Sequence, residues 1–202
     1  MVVIQDERLK HLSSLSTFAA RIRFCNSQIW EKLGSGTGRT VYAYSDTLVV
    51  KLAKNAKGVA QNNVESDVCL HQWYGSTVTD VIDADSDDKW LVAERVRKAV
   101  AADFKIHFGY PMKDVFGYIT RHFDVRERQA FEYEHLTASI IQALDENEQL
   151  QDLTNLICNW QMEDIYGVYN DLISKRSWGV GNNRLILMDY GFTKTVCDEH
   201  YK

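Results

Sequence analysis

A lysine stands inside an otherwise apolar run, Val49-Val50-Lys51-Leu52, and no other feature restricts the fold of this chain so tightly. The run reads as a strand. An ammonium carried into a sheet is expensive to bury unless something anionic meets it. The bland alternative is a strand-end lysine whose stem is covered while its ammonium reaches water beside a solvated glutamate. The helical pattern that follows, 59–73, offers Glu65 as the best-placed partner and Asp67 as the alternative.

Upstream, Lys32-Leu33 lead into Gly34-Ser35-Gly36-Thr37-Gly38, then Val41-Tyr42-Ala43-Tyr44, a Ser45-Asp46-Thr47 turn and the lysine strand. Aromatic and β-branched runs around a polar turn predict strand, glycine loop, strand, hairpin, strand. Two other phosphate loops are excluded. A dinucleotide-binding glycine turn opens a helix, and here a strand follows. A Walker loop needs glycine at position 33 and Lys-Ser/Thr after the second glycine, where this chain has Leu33 and Arg39-Thr40. What remains is a glycine-rich strand turn, which serves either as a plain hairpin or as a cover that brings backbone amides to phosphate oxygens.

Residues 6–23 place Leu9, Leu12, Leu15, Phe18 and Ala19 at helical intervals, which predicts one amphipathic opening helix. Segments 78–84 and 90–96 predict two more strands around Asp85-Ser86-Asp87-Asp88. Helical periodicity then dominates at 112–122, 125–144 and 148–166, and a short hairpin closes the pattern with its turn at Gly181-Asn182-Asn183. A strand-rich first half with one inserted helix and a helical second half is an α+β order.

The second half carries Tyr169-Asn170-Asp171-Leu172 after its long helical segment, and Asp189-Tyr190-Gly191 after the apolar Leu185-Ile186-Leu187-Met188. Asp189 lies 18 residues after Asp171. Glycine loop, strand lysine, helix glutamate and the two aspartates resemble the protein-kinase-like fold over residues 30–194. The compact size is similar to the short early kinases of tailed bacteriophages and to the mini-kinase effectors that enteric pathogens secrete. The resemblance implies two lobes, a small antiparallel five-stranded N-lobe with one helix over residues 1–96 and a reduced, mainly helical C-lobe over residues 97–202. It also implies ATP, Mg²⁺ and phosphoryl transfer to protein Ser/Thr hydroxyls. By the same resemblance, Gly34, Gly36 and Val41 match the glycine-loop pattern, and Lys51 held by Glu65 contacts the nucleotide phosphates. Glu94 and Val96 fall at the adenine-binding hinge, Asp171 orients the acceptor hydroxyl, and Asp189 holds the metal.

Three departures stand out. Arg39 occupies the third glycine position, with Gly38 one place early. Arg176, between Lys175 and Ser177, stands where kinases place the asparagine that holds a second metal. A cation about 4 Å from a magnesium site is opposed by roughly 4 kcal/mol per unit charge. Either Ser177 enters as a weaker oxygen ligand, or Lys175 and Arg176 neutralise phosphate charge, or the chain is a pseudokinase that binds and modulates a partner protein. Finally, the short stretch after Gly191 leaves no room for an activation segment, so a docking partner is expected to supply substrate choice.

Smaller signals are weaker. Asp83 to Glu94 has calcium-loop spacing but Asp88 where the sharp turn needs glycine, so an acidic hairpin tip is expected. Cys25, Cys69, Cys158 and Cys197 form no CxxC pair, which points to reduced thiols. With a net charge of −5 and no long apolar run, neither nucleic acid nor a membrane is an expected partner. The opening residues lack a signal-peptide apolar region, and a cytoplasmic location is expected.

Overall fold

The computed structural model describes residues 4–28, 30–70, 77–122, 135–159 and 172–201. The chain divides into two compact units: Met1–Gln72 with Thr79–Val96 and Gly191–Lys202, and Trp73–Val78 with Arg97–Tyr190. Gly191–Lys202 thus groups with the first unit, far from it in sequence.

The first unit is built on a five-stranded antiparallel sheet in the order β1-β2-β3-β5-β4. Its strands are β1 (Lys32–Ser35), β2 (Arg39–Ala43), β3 (Leu48–Ala53), β4 (Val81–Ala84) and β5 (Trp90–Glu94). Strand alternation sorts β3 into two faces. Tyr42, Val50 and Val92 lie in register and join Leu52, Trp90, Leu9, Leu12 and Cys25 in one apolar core. Helices α1 (Glu7–Ser14) and α2 (Phe18–Ser27) supply the last three. Burial pushes the Cys25 thiol up to about 12, so it packs there as a small apolar group.

Where one opening helix is expected, two occur. Thr17 is the reason: its side chain accepts a hydrogen bond from the Ala20 amide and starts α2 anew, while Leu15 leaves the helical region. The acidic hairpin tip anchors α1. Asp83 accepts the Ile4 amide at 2.9 Å, and Asp85 accepts the Ser13 hydroxyl at 2.5 Å.

Helix α3 (Ala56–Leu70) lies on the other face of β3, where Val49, Val81, Leu91 and Ala93 form a second cluster with Val41 and Cys69. Its first turn meets the glycine loop backbone to backbone. A Cβ on Gly58 would fall 2.2 Å from the Gly38 carbonyl oxygen, so only glycine permits this approach.

The second unit holds a three-stranded sheet, β6 (Arg97–Lys98), β7 (Trp178–Gly181) and β8 (Arg184–Leu187), in the order β6-β7-β8. The expected hairpin is present, and its turn puts Asn182 and Asn183 at φ 49° and 57°. Around it stand α4 (Ala101–Phe108), α5 (Met112–His122), α6 (Ala138–Asp145) and α7 (Glu148–Asn159). Phe104 packs edge-on against Phe116 and Trp178 at 5.1 and 5.6 Å between ring centroids. The intervals 123–134 and 160–171 lie outside the described residues. Among the described residues no helix is long and apolar enough to cross a membrane.

Candidate active site

Strand β3 puts Lys51 on the α3 face, opposite Val41 on one side and Leu91 on the other. The side chain is 7% exposed, so the water-reaching alternative does not hold. Its ammonium donates to Glu65 Oε2 at 2.5 Å, which settles the choice of partner. Glu65, near the middle of α3, is 0% exposed.

A second cation meets the same carboxylate. Arg39 Nη2 lies 2.8 Å from Glu65 Oε1, and Arg39 is itself buried. Sequence reading placed Arg39 only as a misfit in a glycine pattern. Strand register supplies the missing signal: Arg39 is two residues from Val41, the neighbour of Lys51, and shares its face. Burial pushes the Glu65 carboxyl up, yet Arg39 and Lys51 together outweigh that and hold it below the ordinary carboxylate range.

The glycine loop is drawn onto α3 and its approach. Lys54 donates its amide to the Gly38 carbonyl at 2.8 Å and its ammonium to the Gly36 carbonyl. Asn55 Nδ2 donates to the Thr37 carbonyl at 3.0 Å. Within the loop, the Gly36 amide donates to the Arg39 carbonyl at 2.9 Å. Side chains built on Gly34 and Gly36 would meet nothing within 4 Å, so their surroundings are open. At the hinge positions, the amides of Glu94 and Arg95 are already engaged with Asp80 and Thr47 carbonyls at 2.9 and 2.7 Å, and Val96 follows β5 half-buried.

In the second unit, Asp189 follows β8 as an exposed carboxylate, and Tyr190 beside it is buried. Lys175 and Arg176 are exposed on a short helical turn, Lys175–Ser177. That turn lies beside the aspartate segment, since the Met188 amide donates to the Ser177 carbonyl at 2.8 Å. Ser177 is 3% exposed. Asp171, Tyr169 and Asn170 lie outside the described residues.

After Gly191 the chain forms α8 (Lys194–His200), a helix with no counterpart in the sequence expectations, and it packs on α3. A Cβ on Gly191 would sit 2.4 Å from the Gln61 carbonyl oxygen. Tyr201 beyond α8 stands 4.1 Å from the Lys57 ammonium and bonds the Thr37 hydroxyl at 3.1 Å.

No family model matches the chain, and no curated protein matches it. Among solved structures, the streptomycin–ATP ternary complex of APH(2″)-IIa is 14% identical over 96% of this chain and 73% of its own, with a TM-score of 0.42. An ADP-bound aminoglycoside phosphotransferase is 15% identical over 94% and 72%, with a TM-score of 0.40. SAICAR synthase of Saccharomyces cerevisiae is 10% identical over 81% and 74%, with a TM-score of 0.35.

Proposed function

We propose that the chain is a protein-kinase-type phosphotransferase that moves the terminal phosphoryl group of ATP to a Ser or Thr hydroxyl of a protein. The observation that carries this reading is the buried Lys51–Glu65 pair joining β3 to α3, the pair that protein kinases require for activity. Lys51 would meet the α- and β-phosphates beneath Gly34 and Gly36, with Val41 against the base. With the Glu94 and Arg95 amides engaged, the adenine edge would be read by the Val96 backbone together with hinge carbonyls such as that of Glu94.

Asp189 suits a magnesium ion, which usually takes one or two carboxylates and completes its shell with phosphate oxygens and water. When bound, the ion would neutralise phosphate charge. Lys175 and Arg176 are exposed beside that segment and fit a charge-neutralising role, whereas buried Ser177 is a poor candidate ligand. Asp171 keeps the role given by the resemblance. It would accept the proton of the hydroxyl whose oxygen bonds to the γ-phosphorus as the bond to the β-phosphate oxygen breaks and ADP leaves. In a phage or effector setting the acceptor would be a host protein, met in the host cytoplasm.

A second reading has its own observation. The Gly36 amide and carbonyl are both engaged within the protein, as a closed, non-catalytic loop would have them. That reading is a pseudokinase which modulates a protein partner without transferring phosphate.

The test is transfer of label from γ-labelled ATP, with Mg²⁺, to proteins of a host lysate. Transfer that vanishes in both Lys51→Ala and Asp171→Ala, each still folded by circular dichroism, supports the phosphotransferase. Nucleotide binding without transfer favours the pseudokinase, and a chain that neither binds nor transfers overturns the first reading.

A further inference from the structure

Arg39 has no role in the kinase pattern, which places glycine there, yet it is buried and points its guanidinium at the Glu65 carboxylate that holds Lys51. We infer that Arg39 is a positioning residue that locks Glu65, and through it Lys51, into nucleotide-binding geometry. The inference rests on the reading of Lys51 as the phosphate-binding lysine.

The geometry argues for a lock. A carboxylate held by one ammonium at one oxygen can still turn about its terminal torsion. Here Oε2 accepts from Lys51 at 2.5 Å, and Oε1 lies 2.8 Å from Arg39 Nη2 as an ion pair without hydrogen-bond geometry, so cations attract the carboxylate from both sides. The guanidinium is fixed in turn. Its Nη1 donates to Asn62 Oδ1 at 3.3 Å, and Asn62 is fully buried one helical turn before Glu65. Asn62 Nδ2 donates to the Asp88 carbonyl at 2.9 Å in the β4–β5 turn and reaches the Lys51 carbonyl at 3.4 Å. Arginine, amide and carboxylate thus tie β2, β3, the β4–β5 turn and α3 into one network.

The displaced glycine has the same cause. Gly38 meets Gly58 in a backbone contact that admits no side chain, so α3 comes close enough for an arginine on β2 to span to Glu65. In protein kinases the lysine–glutamate pair is made and broken by positioning of this helix. Here Arg39, Asn62 and the glycine contact all hold α3 against the sheet, so the pair is formed without an external switch.

The experiment is titration of Mg-ATP into purified chain by calorimetry, for wild type, Arg39→Ala, Arg39→Lys, Glu65→Gln, the Arg39→Ala/Glu65→Gln double variant and Lys51→Ala, with folding checked by circular dichroism. Arg39→Ala is expected to weaken binding about tenfold, the loss of one charge-assisted contact, and Arg39→Lys to recover most of it. Because Arg39 acts through Glu65, the double variant should bind no more weakly than Glu65→Gln alone. Additive losses would make Arg39 a direct or purely structural contributor and overturn the inference. So would wild-type affinity in Arg39→Ala while Lys51→Ala fails to bind, an outcome that leaves the phosphotransferase reading standing. Unchanged affinity in Lys51→Ala, or no binding by the wild type, overturns both. If Arg39→Ala does not fold, Arg39→Lys decides: binding more than about threefold weaker than Glu65→Gln opposes the lock, since a lysine retains the cation.

Discussion

The two faces of the five-stranded sheet are built on opposite terms from the same strand. Val50 and Leu52 enter a dry core with Tyr42, Trp90 and the opening helices, whereas Lys51 enters a face where Arg39, Asn62 and Glu65 are buried with it. The apolar residues of that core need only suitable volume, although Asp83, in register with Val92, is buried at its edge and holds the Ile4 amide. Buried ion clusters of this type are weak contributors to stability when intact and severe liabilities when one member is lost.

The sharpest way to break the contrast is Glu65→Ala, which takes a shared carboxylate from two buried cations. It is expected to cost about 3–5 kcal/mol of unfolding free energy, read by urea denaturation. Leu52→Ala on the dry face should cost about 2–5 kcal/mol, while the folded fraction keeps wild-type nucleotide affinity. Gly58→Ala pushes α3 off the loop and should destabilise by about 1–3 kcal/mol, with nucleotide affinity falling as well. Acid provides the mildest probe. The Glu65 carboxyl is held below its unfolded value, so its contribution is complete above the unfolded carboxylate range and is lost as pH falls through the folded value. The stability gap between wild type and Glu65→Gln should therefore narrow on acidification, whereas the Leu52→Ala gap should not.

Much of the first unit was legible because period-two alternation and a misplaced lysine are local signals. Lys51 demanded an anion, and the helix after it offered Glu65 as the better-placed candidate and Asp67 as the alternative, between which the sequence does not choose. Arg39 was opaque, because an arginine beside a threonine reads as solvated until the register shows which neighbour it shares a face with. Helix α4 was missed for its brevity, although Asp103 reaching back to the Val100 amide at 2.7 Å and Gly109 at φ 78° mark its two ends. Helix α8 was hidden for another reason: Thr193 caps it, but its packing partner lies in α3, far away in sequence. The residues around Asp189 were placed correctly on a strand end because an apolar run ending in a polar turn has few other readings.

The return of residues 191–202 to α3 bears on the order in which a ribosome can finish this molecule. The sheet and its first three helices emerge early, but α3 keeps one side uncovered until Gly191 and α8 have been synthesised, more than a hundred residues after Gln61. Closing so long an excursion adds only slowly to its entropic cost, yet it cannot begin before the second unit has been made. The glycine loop, to which Tyr201 is bonded through Thr37, would be the last part of the early sheet to reach its mature setting.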